Sequence, residues 1–184
     1  MEKLLIVVDM QNDFITGALG SPQAQAIVPA VARKIIESIN SGSQIILTKD
    51  THPDNYLDTM EGKNLPVVHC IKGTAGWQIA EDIAIAIHQE EYDKYRIFEK
   101  PAFGSLELAK QIADGGFDEV ELCGLCTDIC VVSNALILKA QLPETTITVD
   151  ARCCAGVTQE SHKAALLTMR MCQVNILGEA PRTA

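Results

Sequence analysis

Three groups of residues in this 184-residue chain have the types and spacing to do chemistry. The first is Gly124-Leu125-Cys126-Thr127-Asp128-Ile129-Cys130. Upstream of it, Glu119 to Cys123 alternates polar and apolar residues as a short strand does. Downstream, Val131 to Ala140 is rich in Ala, Leu and Ile with no Gly or Pro, the pattern of a helix. Thr127 or Asp128 is placed to cap that helix, which puts Cys130 in its first turn. A thiol there meets the positive end of the helix dipole and unpartnered backbone N–H groups. Both favour the thiolate, the nucleophilic form.

A free cysteine is more often a small buried hydrophobe, so the case for catalysis rests on what accompanies Cys130. Asp9 follows the apolar run Lys3 to Val8, and Lys100 follows Arg96-Ile97-Phe98. A thiolate attacking a carbonyl needs activation, an anion site for the tetrahedral oxygen and an acid for the leaving group. Asp9 is suited to act as base for Cys130 and then to protonate a leaving amine. Lys100 favours both charged forms by its own charge, and backbone N–H groups at the start of the Cys130 helix offer the anion site. The alternatives are a surface lysine for Lys100, less expected before Pro101 at a strand end, and a helix cap or loop ion-pair partner for Asp9.

The third group is Asp50-Thr51-His52 with His69 and, between them, Glu61. Residues two apart in extended chain point to one side, so Asp50 and His52 can converge on one ion. His69 closes such a site and Glu61 is a possible fourth ligand. Two histidines with carboxylates suit Zn²⁺, Fe²⁺ or Mn²⁺ better than Ca²⁺. Alone, an Asp-x-His is more often a capped loop. His88 and His162 lie in helical stretches and read as packing or surface residues. Cys123-x-x-Cys126 could be a redox dithiol or half a zinc site, but it spans a strand and a turn rather than opening a helix, and Cys123 reads as core.

The elements that must position these groups alternate. Strand-like runs cover Lys3 to Val8, Gln44 to Thr48, Arg96 to Phe98, Glu119 to Cys123, Thr146 to Val149 and Val174 to Leu177. Between them run helical patterns: Val31, Ile35 and Ile39, ended by Asn40-Ser41-Gly42; the stripe Ile79, Ile83, Ile87; Ser105 to Ala113; Val131 to Ala140; and Ser161 to Cys172. The expected fold is therefore α/β, a three-layer, Rossmann-like parallel sheet of about six strands with helices on both faces. Ligands of such sheets bind beyond the carboxyl ends of the strands. Asp9, Asp50, Lys100 and Cys130 each end or follow a different strand, so all four are expected at one sheet edge.

Size and composition narrow the class. The length suits one domain over residues 1–184 with a full core. With 47% hydrophobic residues no run approaches a membrane span, and a net charge of −9 without a basic patch argues against nucleic acid. Glu90-Glu91 and Asp118-Glu119 read as solvated faces. Seven cysteines, an odd number, without a secretory signal make a disulfide framework unexpected and a cytoplasmic location the expectation.

The chain resembles the isochorismatase-like cysteine hydrolase superfamily, in its nicotinamidase-related branch, over essentially its whole length. Val8-Asp9-Met10-Gln11-Asn12-Asp13-Phe14 resembles the opening motif, Lys100 the triad lysine, and Gly124 to Cys130 the nucleophile motif. The resemblance implies a catalytic triad of Asp9, Lys100 and Cys130, a cis peptide at Leu125-Cys126, and an oxyanion hole made by the backbone N–H groups of Cys126 and Cys130. It implies hydrolysis of a small nicotinamide-like amide to acid and ammonia through a Cys thioester. It further implies one divalent metal ion, zinc foremost and iron or manganese otherwise, at Asp50, His52, Glu61 and His69. Phe14, Leu19, Phe103 and Ile129 are then the walls of an apolar ring pocket, and the protein a homodimer or homotetramer with neither membrane nor nucleic acid as partner. The chain departs from the branch at Pro66, where many members carry an aromatic residue, and in Lys100-Pro101-Ala102-Phe103-Gly104-Ser105, which only approximates the usual pattern; a third histidine is absent near Leu57 and Asp58. The alternative readings are hydrolysis of an N-carbamoyl or ureido compound on the same scaffold, and a non-amidase isochorismatase-like protein. A vinyl-ether hydrolase would not need Cys130, and a redox or binding module would not need the Asp9, Lys100 and Cys130 set.

Overall fold

The computed structural model describes residues 2–88 and 92–179; Glu90-Glu91 lie outside them. Six strands form one parallel sheet in the order β3-β2-β1-β4-β5-β6. They are β1 (Lys3–Val8), β2 (Gln44–Asp50), β3 (Tyr95–Lys100), β4 (Glu119–Leu125), β5 (Thr146–Ala155) and β6 (Asn175–Leu177). The central β1 is buried without interruption from Leu4 to Val8, because a parallel strand covered on both faces has no wet side to alternate towards. Each such Leu, Ile or Val contributes about 1.5–3 kcal/mol by leaving water. The edges are an exposed β3 and a three-residue β6.

The helices are α1 (Asn12–Ile15), α2 (Pro22–Asn40), α3 (Met60–Asn64), α4 (Glu81–Ile87), α5 (Leu106–Asp114), α6 (Val132–Gln141) and α7 (Gln159–Met171). α1, α2 and α4 pack together, and α5, α6 and α7 form a second layer. Right-handed crossovers leaving β1 in opposite directions require two layers on opposite faces. Ser21 starts α2 by accepting the Ala24 N–H at 3.0 Å, with Pro22 as the first helical residue. Val28, Val31 and Ile35 form its buried stripe. The expected stripe of Ile79, Ile83 and Ile87 is only partly helical: α4 begins at Glu81, and Ile79 instead bridges to Gln11. Asp118 is exposed and Glu119 pairs with Lys3 at 2.8 Å.

The strand order reverses between β1 and β4, which makes their junction the topological switch point. The two backbones approach closely there. A Cβ on Gly124, at φ +115°, would lie 2.1 Å from the Val8 carbonyl oxygen, so only glycine fits.

Candidate active site

Asp9, Asp50, Lys100 and Cys130 come from the ends of β1, β2 and β3 and the turn after β4, the four adjacent strands of the sheet. Asp9 has φ +48°, the left-handed region that Asp tolerates better than most residues. Its Oδ1 accepts the Thr48 hydroxyl at 2.6 Å. Its Oδ2 is 2.6 Å from Lys100 Nζ but accepts no well-directed hydrogen bond. Lys100 is fully buried, and its ammonium also reaches Asp50 Oδ1 at 3.3 Å, the Ala102 carbonyl at 3.1 Å and Cys130 Sγ at 3.5 Å. Lys100 is therefore not a surface lysine.

The charges in this cluster set one another. Burial pushes the Asp9 carboxyl above the usual carboxylate range; Lys100 opposes the shift and Asp50 adds to it. Burial alone would lower Lys100, but the charges of Asp9, Cys130 and Asp50 outweigh it and hold the ammonium protonated. The Cys130 thiol is pushed well above its ordinary value, by burial first and then by the charge of Asp9, with Lys100 opposing. The thiolate expected from the helix dipole is thus not the resting state. A helix end contributes at most a couple of kcal/mol, too little against the desolvation of a buried anion.

Thr127 and Asp128 do not cap the helix as the sequence suggests. A π-helical turn, Thr127–Val131, precedes α6 with Val131 N–H donating to the Cys126 carbonyl at 3.0 Å, and no side chain caps either element. Both side chains turn to α7 instead. Thr127 Oγ1 meets His162 Nδ1 at 2.8 Å, while Asp128 accepts the Ser161 hydroxyl and the Val157 N–H. The Leu125-Cys126 peptide is cis. Cys126 and Cys130 both line the adjoining cavity, and burial raises the Cys126 thiol to about 12. Cys123 is fully buried in the core.

Asp50, His52, Glu61 and His69 bring one ligand atom each to within 4.8 Å of one another. His52 Nε2 lies 2.9 Å from Asp50 Oδ2 and 3.5 Å from Glu61 Oε1; His69 Nε2 is 3.7 and 3.8 Å from the same atoms. Tetrahedral bonds of about 2.0–2.1 Å separate ligand atoms by about 3.4 Å, which these spacings bracket. His69 Nδ1 is 2.7 Å from the Val67 carbonyl, a contact that places the proton on Nδ1 and leaves Nε2 free to ligate. Two imidazoles and two carboxylates fit Zn²⁺, Fe²⁺ or Mn²⁺. The His52 and His69 rings also pack on Tyr56, at centroid distances of 4.7 and 5.0 Å.

A cavity of about 550 Å³ opens beside Cys130 and the Asp50–Glu61–His69 wall, with Phe14, Leu19, Phe103 and Ile129 in its lining. Three supporting residues escaped sequence reasoning. Gln11 clamps both backbone groups of Asp50, accepting its N–H at 2.7 Å and donating to its carbonyl at 2.9 Å. Asn134 donates to the carbonyls of Cys130 and Phe103 at 2.8 and 3.0 Å and accepts the Ser105 N–H at 3.1 Å. An Asn inside the otherwise Ala-, Leu- and Ile-rich run Val131 to Ala140 is out of keeping with its neighbours, and that was the available signal. Val157 joins the cavity wall from the turn after β5 and carries no local signal. Trp77 supports the loop below: its Nε1 donates to Thr51 Oγ1 at 2.9 Å, and Lys49 Nζ sits 2.9 Å over its ring.

Fold and site together define a parallel α/β protein with a buried Cys–Asp–Lys cluster at the carboxyl edge of the sheet, beside a ligand set ready for a divalent ion. The chain belongs to the isochorismatase domain family, whose model matches residues 3–180. It is 28% identical to the nicotinamidase/pyrazinamidase of Mycobacterium tuberculosis, over 95% of this chain and 98% of that protein. It is 30% identical to a probable inactive nicotinamidase of Arabidopsis thaliana, over 90% and 87%. Among solved structures, the pyrazinamidase/nicotinamidase of Streptococcus mutans superposes with TM-score 0.86 at 28% identity, covering 96% of this chain and 100% of that one. The pyrazinamidase of Pyrococcus horikoshii in complex with zinc gives 0.81 at 29%, covering 96% and 99%. N-carbamoylsarcosine amidase from Thermoplasma acidophilum gives 0.77 at 25%, covering 99% and 100%.

Proposed function

We propose that this protein is a metal-containing cysteine amidohydrolase that converts a small, nicotinamide-like carboxamide to its acid and ammonia. The observation that carries the reading is the meeting of Asp9, Lys100 and Cys130 around one buried ammonium, at the wall of a cavity. In this reading Cys130 passes its proton to Asp9 as Sγ attacks the amide carbonyl. The transfer leaves the net charge of the buried site unchanged, and the raised Asp9 carboxyl is a fitting acceptor. Lys100, already protonated, stabilises the thiolate and moves no proton. The backbone N–H groups of Cys126 and Cys130 hold the tetrahedral oxyanion. Asp9 then protonates the leaving nitrogen, ammonia departs and a thioester remains. Water, deprotonated by Asp9, attacks the thioester; the acid leaves and the Cys130 thiol is restored.

Asp50, His52, Glu61 and His69 are the residues that would hold a divalent ion, zinc foremost. Bound there, it supplies a Lewis-acidic anchor for a donor atom of the substrate, while Cys130 supplies the nucleophile. The nicotinamidase relatives and the zinc-bound pyrazinamidase support this assignment. The reading also carries a homodimer or homotetramer, to be checked by sedimentation. The deciding experiment is ammonia release from nicotinamide by protein loaded with zinc, beside a Cys130→Ala variant. Turnover that persists in the variant removes Cys130 as nucleophile and makes Cys126 the first suspect.

A further inference from the structure

The cavity is larger and more one-sided than a single ring with one carboxamide requires. Its volume of about 550 Å³ falls among pockets of about 300–1,000 Å³ that enclose drug-sized ligands. Reactive and metal-ready groups gather at one end, where Asp50, Glu61, His69 and Cys130 face the space. The remaining wall is largely apolar, with Leu19, Leu65, Phe103, Ile129 and Val157, and Ser21 brings its one hydroxyl. Among the described residues no lysine or arginine lines the cavity. Lys100 is fully buried and held by Asp9 and Asp50.

The apolar end reaches solvent, since Phe103 is 44% and Val157 64% exposed. The backbone that carries these two residues is nevertheless held. Val157 N–H donates to the Asp128 carboxylate, with 3.2 and 3.0 Å to its two oxygens, and the Phe103 carbonyl accepts from Asn134 at 3.0 Å. A preformed apolar surface at the mouth offers a substrate burial area beyond its reacting ring.

We propose that the cavity selects an uncharged carboxamide whose ring carries a further apolar substituent, and that it rejects amides and ureido compounds bearing a carboxylate in that position. This rests on the amidohydrolase reading and specifies its substrate class. An apolar substituent placed against the exposed Phe103 and Val157 side chains leaves water. A carboxylate there loses part of its hydration against these side chains and, among the described residues, finds no lysine or arginine to pair with. N-carbamoyl amino acids are disfavoured for the same reason.

The test compares ammonia release from pyridine-3-carboxamide, its 5-phenyl derivative, its 5-carboxylate and the methyl ester of that carboxylate, using zinc-loaded protein. We expect kcat/KM at least tenfold higher for the phenyl derivative than for the parent, and at least a hundredfold lower for the carboxylate than for its ester. Val157→Arg, at an exposed position, should recover at least tenfold for the carboxylate. A parent amide that matches the phenyl derivative, or a carboxylate that matches its ester, overturns the proposal. If none of the amides releases ammonia, the amidohydrolase reading has failed separately. Calorimetric binding of the same compounds to the protein then ranks them: the same order upholds the selectivity of the cavity, and an absent or reversed order overturns it.

Discussion

Asp50 Oδ1 lies 3.3 Å from Lys100 Nζ, so one carboxylate ties the Cys–Asp–Lys cluster to the metal-ready cluster. Its other oxygen is 2.9 Å from His52. Burial works to raise the Asp50 carboxyl, but hydrogen bonds from His52 and His69 and the charge of Lys100 hold it well below the usual range. Asp50 therefore stays ionised, and a change in either cluster is felt in the other.

Lys100→Met should expose this dependence. It leaves Asp9 and Asp50 buried without their cation, and breaking a buried pair costs about 3–5 kcal/mol. Urea denaturation at neutral pH should show a loss of that order. Iodoacetamide should also alkylate Cys130 more slowly; an unchanged alkylation rate would show that Lys100 does not stabilise the thiolate.

On the proposed mechanism Asp9 and Cys130 share one proton in the active form, so the pH dependence of kcat/KM should be bell-shaped. On the acid side a second proton on the pair prevents Asp9 from accepting. That limb lies above pH 3.8, since burial raises the Asp9 carboxyl. On the alkaline side the shared proton is lost. Asp9→Asn should lower the rate by about 10²–10⁴-fold, as an amide cannot carry the proton. Near-normal turnover in that variant would remove Asp9 as the base.

Protein purified without chelator should contain one divalent ion per chain by elemental analysis. Chelation should raise KM, added Zn²⁺, Fe²⁺ or Mn²⁺ should restore it, and His52→Ala should act as chelation does. Occupancy should fall on acidification, because a protonated imidazole cannot ligate. In the metal-free cluster His69 holds its proton to higher pH than usual: burial lowers its pKa, but Asp50, the Val67 carbonyl and Glu61 outweigh it. Full activity of His52→Ala with no bound metal would move the chain towards the metal-free amidases.

Asn134→Ala should loosen the turn that carries Cys130. It orphans the Cys130 carbonyl and the Ser105 N–H, each costing about 1–3 kcal/mol when buried. We expect a lower melting temperature together with a kcat reduced at least tenfold. Loss of stability at full kcat would make Asn134 purely structural.

The placement of Asp9, Asp50, Lys100 and Cys130 at one edge was readable from the sequence alone. Each ends or follows a strand-like run, and strands joined by helical crossovers run parallel, which puts their carboxyl ends on one side. The convergence of Asp50, His52, Glu61 and His69 was likewise expected, but on the family resemblance, since an Asp-x-His by itself is weak and Glu61 reaches the cluster from the short α3. Tertiary structure decided the rest. The clamps by Gln11 on Asp50 and by Asn134 on Phe103 join residues 39 and 31 positions apart, beyond any local pattern. Asp128 was freed from capping because Val157 and Ser161 arrive from β5 and α7 to claim it. The protonation of Cys130 also reversed its local expectation. A helix terminus is a property of a few consecutive residues, whereas desolvation and the field of Asp9 and Lys100 exist only once four strands have closed around the thiol.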